Sequence, residues 1–293
     1  MNTMDLHMHS NYSDDGEYTP TELMKMCKAA GLSTIAIADH NTTQAIPEAR
    51  KEAARLGLEY IPAVELDCSI NGVNLHVLGY GIDDQDEALW NQAAHMAALG
   101  KASSAKQITL CEQLGLIIDH DACYQLAGNG AVTGEIIAEV SLQNPDNHAF
   151  LKEYLSGGNR SDNPYVNFYW DYCSQGKPAY VPVTYISLKE AVDIIHHAKG
   201  VAILAHPGNN TKEDIQLLDA IFAHDIIGIE AYSSYHTPQQ IAFYETYAKS
   251  HHLIMTMGSD FHGKTKPSIH LGQSGCPNSS ALHDVIIHAF TFK

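Results

Sequence analysis

Val201-Ala202-Ile203-Leu204-Ala205-His206 is the stretch that decides the fold. A short apolar run with β-branched residues, too brief for a helix, reads as a strand buried on both faces, as in parallel sheets. It stops on an imidazole. The same figure recurs in Ile35-Ala36-Ile37-Ala38 followed by Asp39-His40, and in Ile61-Pro62-Ala63-Val64 followed by Glu65. Ile254-Met255-Thr256-Met257-Gly258 runs into Ser259-Asp260-Phe261-His262, and Met4-Asp5-Leu6 runs into His7-Met8-His9. In parallel barrels the carboxyl ends of the strands converge on one face, where active sites lie. Histidines and carboxylates carried there by successive strands are not explained by packing.

Between these runs lie helix signals. Thr19-Pro20-Thr21-Glu22 is a capping box with proline at the first helical position. Leu23, Met26, Cys27 and Ala30 then follow at helical spacing until Gly31. A second helix is predicted over 43–56, ending at Gly57, and Ser187-Leu188-Lys189-Glu190 is another capping box opening a helix to 199. Helices over 211–223, 237–250 and about 279–290 alternate with strands over 201–205, 226–231 and 253–257. With strands at 4–7, 34–38, 60–65 and 73–80, this predicts an α/β fold, either a parallel (β/α) barrel or a doubly wound sheet. The fourth strand follows the third after only a short loop, so a barrel is expected to be irregular.

Residues 83–178 break the rhythm. Helices are predicted over 88–99, 103–114 and 134–142, then a polar stretch from Gly157 to Pro164, then the aromatics Tyr165, Phe168, Tyr169, Trp170 and Tyr172. This is expected to be a largely helical insertion after the fourth strand, serving as a packing domain or as a cap that closes on substrate. The catalytic unit is then 1–82 together with 179–293.

Composition narrows the class. The formal charge of −17 argues against a long polyanion tracking along the surface, since phosphate backbones need clustered Lys and Arg. A small phosphorylated substrate stays open, because divalent cations reverse the local field. No apolar run approaches the ~18–20 residues of a membrane span. No basic stretch leads into an apolar segment at the start, so a cytoplasmic location is the expectation. The 6 cysteines are scattered without a C-x-x-C pair, which disfavours a zinc knuckle or a disulfide framework.

With 18 histidines in 293 residues, chance alone supplies about one H-x-H, so His7-Met8-His9 means little by itself. Its place at the end of a strand gives it weight, because residues i and i+2 face the same side and reach one ion. The nitrogen and oxygen donors suit two or three ions of Mn²⁺, Zn²⁺ or Fe²⁺.

The motifs His7-Met8-His9-Ser10, Ser13-Asp14, Ala38-Asp39-His40, Val64-Glu65, His76, Ala205-His206-Pro207-Gly208 and Gly258-Ser259-Asp260-Phe261-His262 resemble the polymerase-and-histidinol-phosphatase (PHP) family of metal-dependent phosphoesterases. The resemblance covers roughly 1–83 and 178–275 and spares most of the insertion. It implies a distorted (β/α)7 barrel with three metal positions. His7, His9, Glu65 and Asp260 would hold the first ion, and Glu65 would bridge to a second held with His76 and His206. Asp14, His40 and His262 would hold a third, with the adjacent Asp15 as the alternative carboxylate. Glu65, His206 and Asp260 are the residues expected to carry catalysis, the nucleophile being a metal-activated hydroxide.

The nearest branch looks like small stand-alone phosphatases acting on nucleotide bisphosphates or short oligonucleotide ends. Those relatives tend to carry arginine after the His-Pro-Gly motif and within the insertion; here Asn209 and the segment Val132-Thr133-Gly134-Glu135 stand instead. Arg160, His236 and Lys264 are the substrate-binding candidates, each against the plainer alternative of a loop residue. Glu230 ends another strand and is a candidate supporting carboxylate, while Asp39 is a candidate to orient His40. The alternatives are a histidinol-phosphate-type phosphatase, a metal-dependent amidohydrolase, which also opens on H-x-H, and a metal-dependent sensor of the same fold.

Overall fold

The computed structural model describes residues 3–291. Strands β1 (Met4–Asp5), β2 (Thr34–Ile35) and β3 (Glu59–Tyr60) form one parallel sheet in that order. A second sheet contains β4 (Ala63–Ile70), β5 (Val73–Tyr80), β6 (Ile186–Ser187), β7 (Val201–Leu204), β8 (Gly228–Ser233) and β9 (Ile254–Gly258), in the order β6-β4-β5-β7-β8-β9. The result is a mixed α/β fold built mainly on parallel strands.

The exception is β5, which runs antiparallel to both β4 and β7. Only Asn71-Gly72 separates it from β4, and both have positive φ, 51° and 78°. Asn-Gly in that conformation is the preferred two-residue hairpin turn, and a link so short can only reverse the chain. Two sets of backbone bonds join the sheets. At one side Leu6 N donates to Met257 O (3.1 Å), Asp260 N to His7 O (2.7 Å) and His9 N to Phe261 O (2.9 Å). At the other, Glu65 N donates to Asp39 O (3.1 Å) and Asn41 N to Glu65 O (2.7 Å).

The main core gathers Leu6, Val64, Leu66, Val77, Ile203, Ile229 and Met257 from the strands with Leu188 and Ile195 from a covering helix. Helix Pro20–Ala29 carries the capping box at Thr19 and Glu22, and with helix Ile46–Leu56 it packs Leu23, Met24 and Ala49 against Ile35 and Ile37. Each of the leucine, methionine and isoleucine side chains contributes roughly 1.5–3 kcal/mol by burial. Helix Ile215–Phe222 begins later than the sequence pattern suggests. Lys212 and Glu213 take φ of 48° and 60°, which breaks helical geometry, and the Asp214 side chain then caps Gln216 N and Leu217 N.

The segment after Tyr80 builds a separate apolar cluster around Ile108, Cys111, Ile137, Leu151 and Phe168. Where two helices were expected over 88–99 and 103–114, one helix spans Glu87–Gln113. Gly100 does not interrupt it; its bare Cα lets the loop at Ala131 come so close that an added Cβ would lie 2.9 Å from the Ala131 Cβ. Helix Gly134–Leu142 follows, and helix Pro164–Phe168 passes into the wider π-turn Tyr169–Cys173. Among the described residues, no helix is long and apolar enough to cross a membrane.

Candidate metal centre

The strands deliver their terminal side chains to one place. His7 and His9 follow β1 with both rings on the same side, His40 follows β2, His206 follows β7, and Asp260 and His262 follow β9. Glu65 lies within β4, bridged to the backbone of His40. His76 differs from the strand-end pattern: because β5 is antiparallel, it sits mid-strand, in register with Asp67. His7, His9, Glu65 and His262 are fully buried, and Asp260 and His206 nearly so.

Glu65 is the hub. His76 Nδ1 and His206 Nε2 lie 2.9 and 3.0 Å from its Oε1. His7 Nε2, His9 Nε2 and His40 Nδ1 lie 3.1, 3.2 and 3.2 Å from its Oε2. Asp260 Oδ1 stands 3.0 Å from His9 Nε2 and 3.3 Å from His7 Nε2. Four sets of donors converge within a single ion's reach: His7, His9, Glu65 and Asp260; Glu65, His76 and His206; His9, Asp15, His40 and His262; and His40, Asp67 and His76.

The residues fit metal ions. Glu65 Oε2, Asp260 Oδ1, Asp15 Oδ1 and His40 Nδ1 are buried without any hydrogen-bond partner, although other polar atoms surround them. His7 Nε2 and His9 Nε2 face each other at 3.2 Å. Buried lone pairs aimed at one another are costly unless a cation lies among them. The far side of each ring is anchored. His7 Nδ1 meets Glu230 Oε1 at 3.0 Å, His9 Nδ1 meets Ser13 Oγ at 3.1 Å, and His262 Nδ1 meets Asp260 O at 2.8 Å. Those contacts fix the tautomers that leave each Nε2 lone pair free to coordinate.

Charge is tightly balanced. Burial disfavours the His7 imidazolium, but the carboxylates of Glu65, Glu230 and Asp260 hold its pKa well above the usual range. Burial, with the neighbouring His262 and His40, pushes His9 down to about 4. Burial opposes ionisation of Glu65, yet His7, His76 and His40 hold it well below the carboxylate range. For Asp260, Lys266, His262 and His7 likewise outweigh burial. Protons and metal ions therefore compete for the same site.

Neighbouring groups hold the loops. Asp5 accepts from Ser259 N (2.9 Å), Ser259 Oγ (2.6 Å) and Gly272 N (2.7 Å). Asp39 does not touch the His40 ring. It accepts from Ser10 N and Ser10 Oγ, both at 2.6 Å, and from Ser13 Oγ at 3.2 Å, while Ser13 Oγ accepts from His40 N at 2.9 Å. Asp39 thus acts on His40 through Ser13, and burial raises its own pKa to about 6.

Several expected site residues lie elsewhere. Asp14 turns away and accepts from Ala131 N at 3.3 Å; Asp15 takes its place, 3.1 Å from His262 Nε2. Arg160 pairs with Asp171 at 2.9 Å within the insertion and does not line the cavity over the site. Lys264 extends to Glu139 at 2.7 Å. His236 holds the loop after His206, its Nε2 accepting from Gly208 N at 3.1 Å and its Nδ1 donating to Ala231 O at 3.0 Å. Both of its nitrogens are engaged, and it does not line the cavity over the site.

Four groups were not anticipated. Asp67 faces His76 Nε2 at 3.2 Å, and only the hairpin register brings it there. Lys266 Nζ donates to Asp260 Oδ2 at 2.8 Å, two residues beyond the lysine singled out from the sequence. Tyr235 OH donates to the same oxygen at 2.5 Å. Glu135 is a buried carboxyl whose pKa burial and Asp15 raise to about 7.

Above these groups lies a cavity of 1680 Å³, walled on one side by Asp15, His40, His76, His206 and Asp260 and on the other by Glu135, Tyr169, Trp170, Tyr180 and Tyr185. A smaller cavity of 260 Å³ beside Asp219 and His251 is remote from the cluster.

The sequence matches the PHP domain model over residues 5–176. It is 32% identical over 92% of its length to a 5'-3' exoribonuclease Rnm of Salmonella typhimurium, covering 88% of that protein. It is 31% identical over 89% of its length to a 3',5'-nucleoside bisphosphate phosphatase of Chromobacterium violaceum, covering 88% of it. The structure superposes on a protein from Bifidobacterium adolescentis described as a metal-dependent phosphoesterase, with a TM-score of 0.78 at 25% identity, over 99% of this chain and 97% of that one. The chain belongs to the PHP domain family.

Proposed function

We propose that the chain is a metal-dependent phosphoesterase that hydrolyses a nucleotide-like phosphomonoester or phosphodiester, using two or three divalent ions of Mn, Zn or Fe. The observation that carries this is Glu65, whose two oxygens are ringed by five imidazoles, Oε2 having no hydrogen bond of its own. His7, His9, Glu65 and Asp260 would hold one ion, Glu65, His76 and His206 a second, and Asp15, His40 and His262 a third. When bound, such ions lower the pKa of water toward neutrality and offset charge on phosphoryl oxygens.

The chain's own groups do the rest. Glu230 and Ser13 fix the rings of His7 and His9 from behind. Lys266 and Tyr235 hold Asp260 Oδ2, so that Oδ1 keeps its lone pairs toward the imidazoles. Residues 83–178 act as a cap that screens the cavity from water and offers the face of Trp170 to a base, with Tyr185 of the catalytic unit beside it, since bases stack on aromatic side chains at a gain of ~1–3 kcal/mol each. The two sets of backbone bonds between the sheets support a distorted seven-stranded barrel.

Substrate class rests on the relatives, a nucleoside bisphosphate phosphatase and an exoribonuclease, and on the size of the cavity. At 1680 Å³ it exceeds the roughly 300–1,000 Å³ of small-ligand pockets, which leaves room for a nucleotide and part of an attached chain. The test is hydrolysis of nucleoside bisphosphates, sugar phosphates, dinucleotides and 5'-phosphorylated short RNA with added Mn²⁺. At least one is expected to be cleaved, and Glu65→Ala to slow it by at least ~10²-fold. Undiminished activity after complete chelation would refute the proposal.

A further inference from the structure

We propose that Lys266 is the cation that grips the substrate's phosphoryl group, a role that rests on the phosphoesterase function above. Among the described residues lining the cavity the cations are Lys177, Lys212 and Lys266, with no arginine. Lys177 and Lys212 are exposed, whereas Lys266 is 7% exposed. A charge at that depth acts through a low local dielectric and is barely screened by salt.

Its hydrogen bonds are incompletely used. An ammonium has three N–H donors. One goes to Asp260 Oδ2 at 2.8 Å. Another points near His262 Nε2, at 3.4 Å. That nitrogen also faces Asp15 Oδ2, and its lone pair is committed once an ion is held between them. Two donors are then left for an acceptor entering from the cavity, and a buried donor left unmade is costly.

Asp260 sets the direction. Its Oδ1 faces His7 and His9, and its Oδ2 takes Lys266 and Tyr235. The Tyr235 ring lies 5.3 Å from Lys266 Nζ, backing the ammonium on one side and favouring it by cation–π attraction. Lys266 thus spans the gap between the metal-facing carboxylate and the open volume, where an oxygen of a phosphate would reach it.

The experiment compares wild type with Lys266→Met and Lys266→Arg, all loaded with Mn²⁺. Metal content is measured, inorganic phosphate is titrated in by calorimetry, and kcat and KM are determined on any ester the wild type cleaves. With Tyr235 still holding Asp260, Lys266→Met is expected to be fully metal-loaded at saturating Mn²⁺ and to bind phosphate there at least ~10-fold more weakly, with kcat/KM down ~10²-fold or more. Lys266→Arg is expected to recover part of the phosphate affinity. Should the Met variant fail to fold, Lys266→Gln, which keeps a donor toward Asp260 without the charge, is used in its place. Phosphate affinity equal to wild type overturns the proposal. So does a parallel loss of metal and phosphate that extra Mn²⁺ reverses, because Lys266 would then only position Asp260. A wild type that binds phosphate through Lys266 but cleaves no ester overturns the phosphoesterase function and leaves the phosphate site standing.

Discussion

Glu230→Gln isolates the support behind the metal groups. Glu230 is fully buried and touches no substrate-facing surface; its Oε1 meets His7 Nδ1 at 3.0 Å and its Oε2 accepts from His206 N at 2.8 Å. Both partners are donors in the state that leaves His7 Nε2 free. A glutamine has one oxygen and one NH₂, so whichever way the amide turns, an NH₂ is set against an N–H. The change removes a charge-assisted bond worth ~1.5–3 kcal/mol and strands a buried donor at ~1–3 kcal/mol. Loss of such supporting partners typically weakens metal binding or activity about 10–100-fold, or about 1.4–2.8 kcal/mol. The expected result is a metal affinity lowered by that factor in chelator competition, with activity partly restored at saturating Mn²⁺. Glu230→Ala is expected to be worse, because both donors lose their acceptor. An intact, folded Glu230→Gln protein with wild-type affinity and wild-type activity at limiting metal would refute the reasoning.

Gly258→Ala acts on the same pair, since the new Cβ would lie 2.1 Å from the His7 Cβ and 2.5 Å from Glu230 Oε1; thermal melts should show a loss of at least ~1–3 kcal/mol together with weakened metal binding. Asp15→Asn should lower the number of bound ions measured by anomalous scattering, whereas Asp14→Asn should leave it unchanged, because Asp14 faces Ala131 N. Arg160→Ala should cost about 1 kcal/mol or less and leave turnover within about twofold, as its pair with Asp171 is more than a third exposed. Glu135 holds its proton to about pH 7 in the folded chain and to about 4.5 when unfolded, so the unfolded state binds fewer protons in that window and stability falls as pH rises through it. Glu135→Gln should therefore stabilise the metal-free protein at pH 8, by up to ~3 kcal/mol, and have little effect at pH 4. Loading metal at Asp15 should shrink the difference; equal pH profiles for the two proteins would count against the assignment.

The legible part of the sequence was its local chemistry. Capping boxes at Thr19 and Ser187 depend on residues three apart, and both formed where the pattern put them. The apolar runs ending in ligand-type residues came together because a strand's end is fixed by its own residues. What escaped depends on pairing across the chain. Asp67 enters the site only through the β4–β5 register, which the Asn71-Gly72 turn sets. Asp14 and Asp15 are neighbours of equal chemistry, and a loop chooses between them. Lys264 and Lys266 differ by two positions, yet one reaches the outer wall and the other the buried carboxylate. Arg160 has a phosphate-binding side chain in sequence terms, but its partner is the acid Asp171, eleven residues on, which only the fold of the insertion brings beside it.

Backbone bonds join the segment from Leu6 to His9 to the segment from Met257 to Phe261. His7 and Asp260, which converge within a single ion's reach, are far apart along the sequence. During synthesis His7 and His9 are made long before Asp260 and His262, so the donor sets that need those late residues form only after the intervening chain has emerged. Closing so long a loop is entropically costly, and an ion held by both residues would act as a clasp across it. A chain interrupted before Asp260 would still carry the donor set of Glu65, His76 and His206 but would lack those that Asp260 and His262 complete.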